Sequence, residues 1–333
     1  MKQLAVIILN WNGRRLLEQF LPAAARYTIS DHADLIVADN GSSDDSVEWV
    51  RREYPDVKIL RLDRNYGFAA GYNRAIRETH YPYTILLNSD VEVTEDWWLP
   101  LLELMEARQD VGACQPKILS YKNKEQFEYA GAAGGLLDRL GFPYCRGRLF
   151  DRIEDDRGQY DGQPTEIAWA SGAALMVRTD LYLKLGGLDE DFFAHMEEID
   201  LCCRVHLAGL RVCALSGSHV YHVGGASLNQ GNPKKTYLNF RNNLLLLHKN
   251  LPKGRGRRIL FLRRLADTLA FGMFLLKGDI ANARAVIKAH NDFRRMRGRY
   301  NLRPDQDVLR ELPGANRNAV IARYLFRKKT LIP

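Results

Sequence analysis

The chain has 333 residues, enough to bury a full core in one large α/β domain with an appendage. Its formal net charge of +8 hides a split, −10 over residues 1–232 and +18 over residues 233–333, so an acidic body carries a basic tail suited to an anionic partner. Cys114, Cys145, Cys202, Cys203 and Cys213 show no metal-ligand spacing, and their odd number argues against a disulfide framework and for a reducing compartment.

Residues 5–9 (Ala-Val-Ile-Ile-Leu) read as a first strand, too short for a signal peptide. A turn at Asn12-Gly13 leads into an amphipathic helix to about residue 26. A second strand over 35–38 ends at Asp39, and Asn40-Gly-Ser-Ser-Asp44 turns and caps a helix to about residue 53. Residues 57–62 are a third strand, 68–78 a helix and 84–87 a central strand. This alternation predicts an α/β fold, a mainly parallel sheet with helices on both faces. A helix over 96–107 and a strand over 112–119 follow. The glycine-rich section 129–160 has no clear period and is expected to form loops and short strands around Phe142, Tyr144, Phe150 and Tyr160. Then come a strand over 167–177, helices over 179–185 and 197–207, and short strands over 212–215 and 219–222. From Tyr237 onward the pattern is helical, and no stretch is long and clean enough to span a bilayer.

In open α/β sheets ligands gather at the carboxyl ends of the strands. The central run Tyr-Thr-Ile-Leu-Leu-Asn-Ser-Asp-Val-Glu ends in Asn88, Asp90 and Glu92, whose alternate spacing suits a hard divalent cation bridging to phosphate oxygens. The competing reading is a strand end made of turn formers. The first strand-to-helix turn has neither Gly-x-Gly-x-x-Gly nor Gly-x-x-x-x-Gly-Lys-Ser/Thr, which excludes the dinucleotide and P-loop phosphate cradles. At the second strand end, Asp39 can accept the ring N–H of uracil, thymine or guanine, with Asn10 and Asn12 lining the other side. Trp97, Trp98 and Trp169 are core by default, with sugar stacking as the competing role for Trp169.

Val6-Ile-Ile-Leu-Asn-Trp-Asn12, Asp39-Asn-Gly-Ser-Ser-Asp44, Asn65-Tyr-Gly-Phe-Ala-Ala-Gly-Tyr-Asn73 and Leu87-Asn-Ser-Asp-Val-Glu92 together resemble glycosyltransferase family 2, in its rhamnosyltransferase-like branch. Ser171-Gly172, Gly186-Gly-Leu-Asp-Glu-Asp-Phe-Phe193, Glu197-Glu-Ile-Asp-Leu201 and His222-Val-Gly-Gly225 are similar to the same family's acceptor half, so the resemblance spans residues 5–243. It implies a GT-A fold, a UDP-, dTDP- or GDP-linked sugar donor, a divalent metal such as Mg2+ or Mn2+, and inversion at the anomeric carbon. By position, Asp39 matches the base-binding carboxylate and Asp90 the metal ligand, while Asn88 stands where the family's acidic pair often begins. His222 matches the late metal-ligating histidine, and Glu198 matches the general base, with Glu197 beside it. Asn73, like Asn65, is expected to support the donor pocket or its turn, and Arg241 could fork onto phosphate.

The expected arrangement is a catalytic domain over 1–243 and a helical basic region over 244–333. The expected activity is sugar transfer to a glycan or lipid-linked acceptor in cell-envelope polysaccharide synthesis, in the cytoplasm and peripherally on the inner face of the membrane. The apolar patch 265–276 follows a run of arginines and suits lying in an anionic interface, with packing on the protein or dimerisation as competitors; nucleic acid is not an expected partner. Two other readings stand against this one: a nucleotidyltransferase, for which Arg14-Arg15 is a poor phosphate loop, and a non-catalytic subunit of a glycan-assembly complex.

Overall fold

Runs of β-branched residues and leucine make the first strands apolar on both faces, which commits them to the middle of a sheet. A computed structural model describes residues 2–224, 231–314 and 320. Its strands are β1 (Leu4–Asn10), β2 (Ala33–Asn40), β3 (Lys58–Leu62), β4 (Tyr83–Leu87), β5 (Val91–Val93), β6 (Val111–Ser120), β7 (Gly135–Leu137), β8 (Pro143–Cys145), β9 (Arg148–Leu149), β10 (Arg152–Ile153), β11 (Thr165–Ile167), β12 (Ala174–Arg178) and β13 (Arg211–His222). Its helices are α1 (Arg14–Thr28), α2 (Ser46–Glu53), α3 (Phe68–Glu78), α4 (Leu99–Ala107), α5 (Thr179–Lys184), α6 (Glu197–Leu207), α7 (Pro233–Asn250), α8 (Lys253–Leu276), α9 (Ile280–Met296) and α10 (Val308–Glu311).

The main sheet runs β11-β13-β6-β12-β4-β1-β2-β3, with β5 added against β13. Strands β3, β2, β1 and β4 are mutually parallel, as are β6 and β13, while β12 is inserted antiparallel between β4 and β6. One core layer includes Ile7, Tyr72, Leu86, Phe192 and Ile199, and the other Leu4, Leu17, Leu35, Trp97 and Leu101. Trp97 is buried and donates its indole N–H to Thr28 Oγ1, and Trp98 donates to the Tyr27 carbonyl, so both serve packing. All five cysteines are free and buried.

Three sequence expectations shift. The 167–177 strand is two strands, β11 and β12, because the chain leaves the sheet between them in a turn through Ser171, whose hydroxyl donates to the Ala130 carbonyl. Helix α4 starts at Leu99 rather than 96: Pro100 is accommodated only in a first turn, and Asp96 has φ 53°. The two late strands are one, β13, with a register slip between Leu215 and His219. The section 129–160 forms loops and short strands as expected, and these strands, two or three residues each and too short to show a period, pair into an antiparallel sheet, β10-β9-β8-β7. Helix α7 runs unbroken past residue 243 and packs on α6, α8 and α9.

Candidate active site

The carboxyl ends of β1 and β2 hold the first cluster. Asn10 is buried; its amide donates to Asp39 Oδ1 (3.3 Å) and Ser46 Oγ (2.8 Å), and its Oδ1 accepts from Gly13 N (3.2 Å). Asn10 therefore braces Asp39 and the turn. Asn12, on the exposed rim, accepts from Ser43 N (2.7 Å) and ties the first loop to the second. Asp39 is buried where the two loops meet, and both of its carboxylate oxygens accept long bonds from Ser42 N (3.3 and 3.4 Å). Asn65 accepts from the Asn40 amide (3.1 Å) and Gly67 N (2.8 Å), holding the entry to α3.

Across the sheet, β5 pairs with β13 so that His222 lies opposite Val91. That register brings His222 Nε2 to 3.2 Å from Asp90 Oδ1 and 3.5 Å from the Asn88 amide. The other ring nitrogen faces Glu128 Oε2 at 3.6 Å, and Asp90, His222 and Glu128 are all buried. Burial alone would lower the imidazole pKa, but the carboxylates of Asp90 and Glu128 outweigh it and lift it to about 10. Glu128 was not singled out in the sequence, where it is one charge between two aromatics. Its carboxylate also accepts from Ala130 N, and Gly224 (φ 67°) lets the chain pass it, since a Cβ there would lie 2.6 Å from Glu128 Oε1. Gly225, the second glycine of that motif, lies outside the described residues. Glu92 is instead paired with Lys124.

A divalent cation fits this donor set. Asp90 and His222 offer a carboxylate and an imidazole at one strand end, with Glu128 behind the ring, and a cation there would take the place of the imidazole proton as the positive charge between the two carboxylates. Among the described residues no three His, Cys, Asp or Glu side chains form a metal cage.

The third cluster opens α6. Met196, His195 and Phe193 have φ of 74°, 68° and 65°, a strained approach for residues other than glycine. Two side chains of α7 hold it: the Asn242 amide donates to the carbonyls of Phe192, Ala194 and His195, and Arg241 donates to those of Asp191 (3.0 Å) and Phe192 (2.9 Å). Arg241 thus spends its fork on this loop, a role that the phosphate reading of its sequence position did not include. On α6, one carboxylate oxygen each of Glu197 and Glu198 is buried without a hydrogen-bond partner. Burial raises Glu198 from 4.5 to about 7; burial and the charge of Glu198 raise Glu197 further. Gly172 links this cluster to the previous one. A Cβ on it would meet Glu198 at 3.8 Å, and the Ala173 carbonyl accepts from Asn88 N (3.0 Å).

Asn73 braces the loop that follows α5. Buried in α3, it donates to the Leu188 carbonyl (2.8 Å) and accepts from Tyr182 Oη (2.7 Å) and Leu188 N (2.9 Å). It requires Gly187, where φ is 71° and a Cβ would fall 2.2 Å from Asn73 Oδ1. Trp169 is buried with its indole N–H on the Leu136 carbonyl (3.0 Å), so it packs rather than stacks on a sugar.

The geometry has relatives. The chain is 26% identical over 242 residues to N-acetylglucosaminyl-diphospho-decaprenol L-rhamnosyltransferase of Mycobacterium tuberculosis, covering 66% of this chain and 75% of that protein. It is 24% identical over 199 residues to rhamnosyltransferase WbbL of Escherichia coli, covering 58% and 73%. In fold it is similar to residues 1–349 of Staphylococcus aureus TarS (TM-score 0.57, 16% identity, 87% of this chain and 80% of that one). It is likewise similar to the Pyrobaculum calidifontis mannosyltransferase PcManGT in complex with GDP-Man and Mn2+ (TM-score 0.54, 14%, 87% and 86%). A third likeness, to GalNAc-T7 with UDP, GalNAc and Mn2+, has a TM-score of 0.59 at 14% identity and spans 76% of this chain but 49% of that protein. The Glycosyl transferase family 2 model matches residues 5–175, and with GT-A neighbours on the structural side the chain belongs to that family and is a glycosyltransferase.

Proposed function

We propose that the protein is an inverting, metal-dependent transferase that moves a sugar from a nucleotide-linked donor to a glycan or lipid-linked acceptor in cell-envelope synthesis. The observation that carries the reading is the pairing, across the Gly172-Ala173 turn, of a cation-seeking cluster (Asp90, His222) with a half-buried carboxylate (Glu198) that keeps one buried oxygen unpartnered. Asp39, held by Asn10, accepts an N–H of the donor's base. Asp90 and His222 would hold the divalent cation, which supplies positive charge against the leaving diphosphate. Glu198 takes the proton of the acceptor hydroxyl as that oxygen attacks the anomeric carbon from the face opposite the diphosphate, in one displacement. Its raised pKa suits a base working near neutral pH. Residues 1–243 carry this chemistry, and the described helices beyond residue 243 belong to the basic C-terminal region. The M. tuberculosis relative is named for a diphospho-decaprenol acceptor, which supports a lipid-linked acceptor and a place at the cytoplasmic face of an anionic membrane.

The test is a thermal-shift screen of UDP, dTDP and GDP and their sugars, with and without Mn2+ or Mg2+, followed by transfer assays with the nucleotide that stabilises most. Asp90→Ala is expected to abolish both transfer and the metal-dependent part of the stabilisation. Full activity of Asp90→Ala, or of the unaltered chain in excess chelator, would overturn the metal-dependent mechanism.

A further inference from the structure

We infer that the tip of the α8–α9 hairpin inserts into the acyl boundary of an anionic lipid surface; this rests on the membrane-surface placement proposed above and names the element that makes it. The two halves of α8 differ. Up to Asp267 the helix has an inner face, on which Gly256, Ile259, Leu260, Arg263 and Asp267 are buried. Arg263 fixes that half to the body, stacked 3.5 Å over the Phe142 ring and 3.6 Å from Asp267, which in turn meets His290 (3.0 Å). Beyond Asp267 no residue of α8 is buried, although the sequence there is Thr-Leu-Ala-Phe-Gly-Met-Phe-Leu-Leu. Leu269 is 72% exposed, Met273 57% and Leu276 90%, and Leu275 and Ile280 are exposed beside them. Upstream, Phe261 and Leu265 extend the same stripe at helical spacing. An apolar strip along a helix about 36 Å long is more than the scattered exposed leucines of an ordinary surface.

The charge around the strip selects the occupant. Arg257, Arg258, Lys277 and Arg284 are exposed along its edges, and Arg264 is half-buried. The one carboxylate in α8, Asp267, is buried and already paired, and Asp279 at the tip is engaged in capping α9 through Asn282, so cations outnumber anions along this face. Apolar side chains rimmed by arginine match an interface with anionic headgroups above hydrocarbon. Two copies meeting through this face would bring the same cations together, which disfavours a homodimer. Among the described residues no helix is long and apolar enough to cross a membrane, so this contact lies in one leaflet.

The experiment uses the full chain and vesicles of phosphatidylcholine with and without phosphatidylglycerol. The unaltered protein is expected to co-sediment with the anionic vesicles and to retain part of that binding at high salt, the part due to insertion. The triple variant Leu269→Ser/Met273→Ser/Leu276→Ser alters only exposed side chains and is expected to keep its melting curve while losing about tenfold or more in vesicle partitioning. A bimane label on Leu276→Cys, the native thiols being buried, should shift to the blue on anionic vesicles. If the triple variant binds as the unaltered chain does and salt releases both fully, insertion is overturned while attraction to the surface stands. If the unaltered chain ignores both vesicle types, both fall. If it is a dimer in solution that the triple variant converts to a monomer, the face belongs to a second copy and the lipid assignment is overturned.

Discussion

Helix α6 carries buried carboxylates on two sides, and the surroundings drive them in opposite directions. Asp200 points to α7, where it meets Arg204 (2.8 Å), Lys249 (2.8 Å) and the Asn250 amide (2.7 Å). Burial alone would raise its pKa, but Arg204 and Lys249 more than offset this and hold it below the ordinary carboxylate range. Two residues earlier, Glu198 is given no cation, and burial takes it to about 7. The same chemical group is a structural tie in one place and, in the mechanism proposed above, a proton acceptor in the other. What separates them is the supply of partners: a buried acid that the fold satisfies holds elements together, and one that it leaves unsatisfied is available for chemistry.

Breaking the satisfied side should have the larger effect on stability. Asp200→Ala leaves Arg204 and Lys249 facing each other in the α6–α7 seam, and the expected loss is about 3–5 kcal/mol in urea unfolding, as for a buried pair with one partner removed. A loss below about 1 kcal/mol would mean that the network is idle.

The cation side can be sharpened through Glu128. If its carboxylate orients His222, Glu128→Gln should weaken Mn2+ binding in the presence of nucleoside diphosphate by about 10–100-fold, read by calorimetry or electron paramagnetic resonance. Unchanged affinity would reduce Glu128 to a loop tie through Ala130.

The unsatisfied side should respond with the opposite sign. Unfolded, Glu198 ionises near 4.5; folded, it keeps its proton until about 7, so stability present below pH 4.5 is lost as pH rises through 7. Glu198→Gln removes that loss and should stabilise the protein by about 1–3 kcal/mol at alkaline pH, with no gain in acid. Equal effects at both pH values would show that the carboxylate is not held protonated by the fold.

Much of this layout was legible before the structure. The strand-helix alternation through β4 and the strand-end acids Asp39 and Asp90 were visible because each is written within a few residues, as periodicity and turn chemistry. Glu128 was invisible because its role depends on β13 returning beside β6 to bring His222 against it, a contact between residues far apart in the chain. The roles of Arg241 and Asn242 are hidden in the sequence for the same reason. Their partners are carbonyls of the strained 191–195 loop, and no side chain there advertises a need for donors. The strip on α8 was legible as composition, while its exposure required the packing of α7 and α9.

The central claim, that Glu198 is the base and Glu197 its buried neighbour, is tested most directly by the pH dependence of turnover in the two isosteric variants. Glu198→Gln should keep metal-dependent donor binding, cut turnover by about 10²–10⁴-fold and remove the limb that rises with pH through about 7 in the unaltered enzyme, while Glu197→Gln should keep that limb and lose far less. Near-normal turnover with an intact limb in Glu198→Gln, alongside collapse in Glu197→Gln, would contradict the account and transfer the proton to the neighbouring carboxylate.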